Sequence, residues 1–282
     1  MTIIERALNK HRPAPTMNGG AKRPRPMTPG RTIDPSLRIP RHKAVVDLKA
    51  CRERRLLLTV QTDDDKACVA SYRMLRTRLL HRARNSNWTT VAVTSAGPND
   101  GKTTTIINLA LSMAREKGRD VVLLDLDMRN PSVCRALGVH PKHELRDYLD
   151  RGQAFDDLFF TLPGADNLLI AGSVTPTETA SELLAGAVFD EMLNHVKRGT
   201  ADPLILIDLP PILVTDDALV VAPKIDAVLV VASEGSTSRS ELEKALQLVS
   251  EFTVAGVVLN RASETSADYN YAYEADPGAN AS

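Results

Sequence analysis

The chain has 282 residues, 43% of them hydrophobic and 25% charged, with 35 Lys+Arg balancing 35 Asp+Glu. That make-up suits a soluble globular protein of one large domain plus extensions. It excludes a transmembrane helix, for which no run of about 18 apolar residues exists, and residues 1–6 lack a secretory core.

The zero net charge hides an asymmetry: residues 1–60 carry 14 Lys/Arg against 4 Asp/Glu, and residues 61–282 carry 21 against 31. Residues 1–43 also hold seven prolines. They are predicted to form a disordered basic arm, unable to bury enough apolar surface to offset its ordering entropy. The arm is either a solvated tail or an adhesive segment for anionic lipid or an acidic partner. It has no aromatic interleaving, so no nucleic acid is expected. Residues 44–60 read as a lead-in that starts with a strand-like Ala44-Val45-Val46-Asp47-Leu48.

A helix is predicted over 66–85, with Val69, Tyr72, Leu75 and Leu79 on one face and Arg73, Arg76, Arg78 and Arg82 outside. Strands are then expected at 89–94, 121–125, 167–171, 204–208, 227–232 and 254–259. Helices are expected at 102–117, closed by Gly118, and at 131–137, 179–197, 214–221 and 238–251. Apolar strands alternating with helix-length segments predict an α/β fold: a mostly parallel sheet with helices on both faces. Its ligand should sit at the C-terminal edge. The domain spans 44–262, and 263–282 reads as a flexible tail. The cysteines (Cys51, Cys68, Cys134) are odd in number and without metal spacing, which fits a reducing cytoplasm. Cys134 is expected to be buried.

The chemistry centres on Ala96-Gly97-Pro98-Asn99-Asp100-Gly101-Lys102-Thr103-Thr104, placed between a strand and a helix. Pro98 to Thr104 form the expected phosphate cradle. Converging backbone N–H groups, a helix N-terminus and a lysine are what a polyphosphate needs, and the Thr103 hydroxyl is placed for Mg²⁺. Asn99 stands where glycine is usual, and asparagine tolerates positive φ. Two aspartate motifs end later strands: Asp125-Leu126-Asp127-Met128-Arg129-Asn130-Pro131 and Asp208-Leu209-Pro210-Pro211. Singly, each could be a turn aspartate; beside a phosphate loop, their natural partner is Mg²⁺.

Together these motifs resemble the bacterial tyrosine kinases of capsule and exopolysaccharide synthesis, over roughly 45–273. Further pieces agree: Tyr72-Arg73-Met74-Leu75-Arg76-Thr77-Arg78, Asn108-Leu109-Ala110, Asp216-Asp217-Ala218 and Gly256-Val257-Val258-Leu259-Asn260-Arg261. The resemblance implies a P-loop NTPase fold of the deviant-Walker (SIMIBI-like) class and an ATP- and Mg²⁺-dependent protein-tyrosine kinase. In that reading Lys102, Asp125, Asp127 and Asp208 are catalytic. Thr103, Asp127 and Asp208 hold the metal, Asn260 and Arg261 approach the adenine, and Asp125 takes the acceptor's proton. Tyr269, Tyr271 and Tyr273 are the phosphoacceptors, used in trans by a neighbouring subunit; an edge strand is the alternative, but the small and polar residues on either side give the tyrosines little to pack on. Arg129 either stabilises charge or salt-bridges the following helix. The soluble subgroup beside exosortase-type systems is the nearest likeness. It implies a cytoplasmic protein held at the inner membrane face by a separate chain-length-determinant or activator protein.

Two departures stand out. The family's Glu-x-x-Arg-x-x-Arg helix has Ala70 in place of its glutamate, so a ring of subunits lacks half of one ion pair, unless Asp64 or Asp65 supplies it. Gly97 occupies the position where partition ATPases carry a signature lysine, which argues against that alternative. A non-catalytic ATP-binding regulator of chain length remains a second alternative.

Overall fold

The computed structural model describes residues 39–59, 63–116, 118–152 and 155–262. Residues 1–38 of the expected basic arm and the tyrosine tail, with Tyr269, Tyr271 and Tyr273, lie outside them; residues 39–43, expected within the disordered arm, instead belong to the domain, with Ile39 buried and His42–Lys43 paired to another strand.

The strands are β1 (His42–Lys43), β2 (Thr90–Ser95), β3 (Val121–Asp125), β4 (Phe160–Leu162), β5 (Ala165–Ala171), β6 (Leu204–Asp208), β7 (Ala227–Ser233) and β8 (Val254–Asn260). They form one sheet in the order β1-β4-β5-β3-β6-β2-β7-β8. Every pairing is parallel except the β4–β5 hairpin. The helices are α1 (Leu48–Glu53), α2 (Asp63–Ser86), α3 (Lys102–Met113), α4 (Val133–Leu137), α5 (Leu145–Arg151), α6 (Ala180–Ala185), α7 (Ala187–Gly199), α8 (Asp217–Val221) and α9 (Arg239–Leu248).

Successive strand residues point to opposite faces, and both faces are apolar. Val91, Val93, Leu123, Leu206 and Leu229 pack with Ile106 and Leu109 of α3 on one side. Ala92, Val122, Leu124, Ile205, Ile207 and Val228 pack with Phe189 and Met192 of α7 on the other. This double burial is the expected doubly covered parallel sheet, and it carries the strand-end Asp125 and Asp208, with Asp127 two residues beyond β3, to one edge.

Several expectations need correction. The strand expected at 44–48 does not form: the two-residue β1 ends at Lys43, and 44–47 lead irregularly into α1, which the Asp47 carboxylate caps through the N–H groups of Lys49 (2.8 Å) and Ala50 (3.2 Å). The helix expected over 179–197 is two helices parted at Gly186, whose ψ of 157° is extended. The helix expected over 102–117 ends at Met113; Gly118, at φ +86°, turns the chain toward β3 instead of capping it. Short α1, α5, β1 and β4 carry too little periodicity to be seen in advance. Pro163-Gly164, with Gly164 at φ +79°, is nonetheless a readable turn signal for the β4–β5 hairpin. Cys134 is fully buried, as expected.

Candidate phosphate-binding site

The loop between β2 and α3 holds its shape through two left-handed residues, Asn99 (φ +64°) and Gly101 (φ +88°). The first is the substitution that asparagine tolerates. At Gly101 a methyl group would also collide with the Asn260 side-chain amide. That amide donates to the Asp100 carbonyl at 2.8 Å, so Asn260, expected against adenine, leans on the phosphate loop itself. Arg261 follows it, exposed, with φ +57°. Pro98 and Asn99 form the exposed crest of the loop, and Thr104 is half-buried.

Asp100 is 2% exposed. One of its carboxylate oxygens accepts the Gly97 N–H at 3.0 Å; the other accepts the Thr237 hydroxyl at 2.8 Å. Thr237 in turn accepts the Ser233 N–H at 2.7 Å. The turn between β7 and α9 thus braces the phosphate loop from below, and Thr237 is a positioning residue that the sequence did not announce.

Inside the loop the charges converge. Lys102 Nζ lies 2.6 Å from Asp127 Oδ2 and 3.9 Å from Asp208 Oδ1. Burial works against its positive charge, but Asp208 and Asp127 outweigh that and raise its pKa. Thr103 Oγ1 donates to Asp208 Oδ2 at 2.7 Å and shares a hydrogen bond with Ser132 Oγ at 2.9 Å. Asp127 Oδ1 accepts the Asn130 N–H at 3.2 Å.

Asp125 is fully buried. Its Oδ2 accepts the N–H groups of Ser132 (2.9 Å) and Val133 (2.8 Å), at the start of α4. Asp125 and Asp208 face each other across the β3–β6 register, and the Oδ1 atoms of both are buried without a hydrogen-bond partner. Burial first, and then the neighbouring Asp208 charge, push the Asp125 pKa up to about 8. Burial, only partly offset by Lys102 and Thr103, pushes Asp208 up to about 6. Two orphaned carboxylate oxygens beside a hydroxyl make a hard donor set, of the kind Mg²⁺ prefers. Among the described residues no three acidic, histidine or cysteine side chains form a cage. Mg²⁺ commonly takes one or two carboxylates, with waters and substrate phosphates completing its shell, so the donors fit.

Arg129 does not engage the helix that follows it. It donates to Asp217, a fully buried carboxylate at the start of α8, at 2.9 Å, and lies 3.4 Å from Glu178. Ser181 Oγ also donates to Asp217. The Asp-x-Asp-x-Arg motif is thereby tied to the segment that follows Asp208. On α2, Ala70 and Arg73 are exposed. Arg76 is already committed within the chain, donating to the Ser112 carbonyl at 2.9 Å and lying 3.4 Å from Glu116.

Comparison with known proteins agrees with this geometry. The family described as ParA: NUBPL iron-transfer P-loop NTPase matches residues 88–274. The chain is 36% identical over 181 residues to the tyrosine-protein kinase CpsD of Streptococcus pneumoniae, covering 61% of this chain and 75% of that protein. It is 27% identical over 192 residues to the tyrosine-protein kinase YwqD of Bacillus subtilis, covering 67% and 79%. Among solved structures, the kinase domain of the Escherichia coli tyrosine kinase ETK superposes with a TM-score of 0.62 at 26% identity, covering 70% of this chain and 78% of that one.

Proposed function

The chain belongs to the ParA-type P-loop NTPases and, among them, to the bacterial tyrosine kinases, and on that premise we propose that it is an ATP- and Mg²⁺-dependent protein-tyrosine autokinase regulating the polymerisation and export of an exopolysaccharide or capsule. The observation that carries the reading is the meeting of Lys102, Thr103, Asp127 and Asp208 at the loop, with Asp208 Oδ1 unsatisfied.

The loop N–H groups and Lys102 bind the β- and γ-phosphates of ATP; an arriving phosphate competes with Asp127 for the lysine. Thr103, Asp127 and Asp208 would hold Mg²⁺, which when bound neutralises charge on the phosphate oxygens. Catalysis is then mainly positioning and charge neutralisation. The acceptor phenol oxygen bonds to the γ-phosphorus as the bond from that phosphorus to the β–γ bridging oxygen breaks. ADP leaves, and the phenol proton passes to a carboxylate. Asp125 is the candidate acceptor, by the family resemblance; in the present arrangement its side chain is closed to solvent. Tyr269, Tyr271 and Tyr273 are the proposed acceptors, used in trans, and their phosphates would repel an acidic neighbour.

Among the described residues no helix is long and apolar enough to cross a membrane. A separate membrane chain-length-determinant or activator protein, of the exosortase-associated kind, is the proposed partner at the inner face of the membrane. Any homo-oligomer has to form with Ala70 in the place of the motif glutamate.

A Lys102→Met variant is expected to lose phosphotyrosine labelling from ATP, and a chain ending before Ser263 to keep ATP binding while losing the signal. Full autophosphorylation of Lys102→Met would sink the assignment.

A further inference from the structure

Residues 41–55 combine exposed apolar side chains with exposed cations. Val45 is 91% exposed and Leu48 59% exposed, at a place where large apolar side chains gain nothing from water. The backbone that carries them is anchored. Ala44 N–H donates to the Thr161 carbonyl at 2.9 Å and Asp47 N–H to the Leu137 carbonyl at 3.2 Å. Cys51 and Leu56 are buried in the core beneath. Asn108 then clamps the end of the segment, accepting the Leu57 N–H at 2.9 Å and donating to the Arg55 carbonyl at 3.1 Å. Val45 and Leu48 are therefore held outward by a fixed scaffold.

The same segment carries exposed cations. Lys49, Arg52, Arg54 and Arg55 are all exposed, and among the described residues none has an ion-pair partner. Of the two acids in the segment, Asp47 spends its carboxylate on the α1 backbone, which leaves Glu53. The chain before this surface, residues 1–38, adds eight Lys/Arg and only two Asp/Glu.

From this juxtaposition we propose that the 41–55 surface seats the domain directly on an anionic lipid bilayer. Val45 and Leu48 enter the headgroup region. Lys49, Arg52, Arg54 and Arg55 meet the lipid phosphates. Exposed apolar side chains together with exposed cations are the chemistry of interfacial attachment. The inference is independent of the phosphoryl-transfer reading.

The test is co-sedimentation of the full chain with vesicles of phosphatidylcholine alone and of phosphatidylcholine with phosphatidylserine, at physiological ionic strength. Binding to the anionic vesicles alone is expected, weakening as salt rises. V45D/L48D is expected to cut partitioning about tenfold or more. K49E/R52E should cut it similarly, with both variants melting like the parent. Removing residues 1–38 should weaken binding without abolishing it. Equal binding by V45D/L48D and the parent overturns the proposal, as does complete loss on removing 1–38 alone. Polyglutamate binding that K49E/R52E abolishes, with no binding to anionic vesicles, assigns the surface to an acidic protein and also overturns it.

Discussion

Replacing Thr237 by valine removes one hydroxyl and changes the side chain's volume little. The hydroxyl does two jobs, donating to the buried Asp100 carboxylate at 2.8 Å and accepting the Ser233 N–H at 2.7 Å. Asp100 is 2% exposed, so water does not replace the lost donor, and the carboxylate keeps only the Gly97 N–H. A hydrogen bond to a charged buried group contributes about 1.5–3 kcal/mol. If that energy holds the loop in the shape that fits phosphate, its loss weakens ATP binding by roughly tenfold to a hundredfold, at about 1.4 kcal/mol per decade. Thr237 does not face the phosphates, so kcat at saturating ATP should stay within about twofold of the parent. The assay is phosphotyrosine formation across a range of ATP concentrations, with nucleotide Kd by calorimetry as a binding-only control. Thr237→Ser keeps the hydroxyl and should restore KM. Unchanged nucleotide affinity in Thr237→Val, or a Thr237→Ser variant as impaired as the valine, would refute the bracing argument.

Gly101→Ala forces a Cβ into the Asn260 amide at φ +88°. It should abolish measurable nucleotide binding, and Asn260→Ala added to it should recover only part, because the backbone strain of about 1 kcal/mol or more remains. Asp226 receives the N–H and hydroxyl groups of Thr89 and Thr90 at 2.7–3.1 Å. Burial raises its pKa, but these bonds outweigh it, leaving the pKa below the ordinary carboxylate value. Its stabilisation is therefore present above the unfolded pKa of about 4 and lost as pH falls through the folded value. Asp226→Ala should cost about 1 kcal/mol at neutral pH, this group being half-exposed, and thermal melts should show that deficit shrinking in acid. Asp125 has the opposite sign. Its pKa is raised to about 8, so the folded chain holds that proton more tightly. Stability from it is complete below about pH 4 and is lost as pH rises toward 8. With chelator and no nucleotide, Asp125→Asn should melt several degrees higher than the parent at pH 9 and no higher at pH 4, while losing phosphotyrosine formation by about a hundredfold or more. A uniform shift across pH would contradict the burial argument.

Sequence revealed the parts of the site that are local. The phosphate loop and the aspartates at 125, 127 and 208 sit in contiguous motifs at strand ends, and β3 and β6 have the predicted bounds because five apolar-to-acidic residues leave little choice. Gaps appeared where the deciding contact spans the chain. Asp100 and Thr237 are 137 residues apart, and Arg129 and Asp217 are 88 apart; none of these residue types signals its partner. Asp226 meets Thr89 and Thr90, 137 and 136 residues earlier, only through the fold. Arg76 read as an outward-facing arginine, yet half-burial turns it toward the end of α3.

Because β8 runs parallel to β7, it delivers the chain to the phosphate edge and not to the opposite one. Its last residue, Asn260, grips the Asp100 carbonyl, and residues 263–282 continue from there. The loop that loads the nucleotide and the root of the stretch that carries three tyrosines thus share one lever. Under the proposed function, a shift of the loop on binding phosphate would therefore reach the root of the tail through a single side-chain amide.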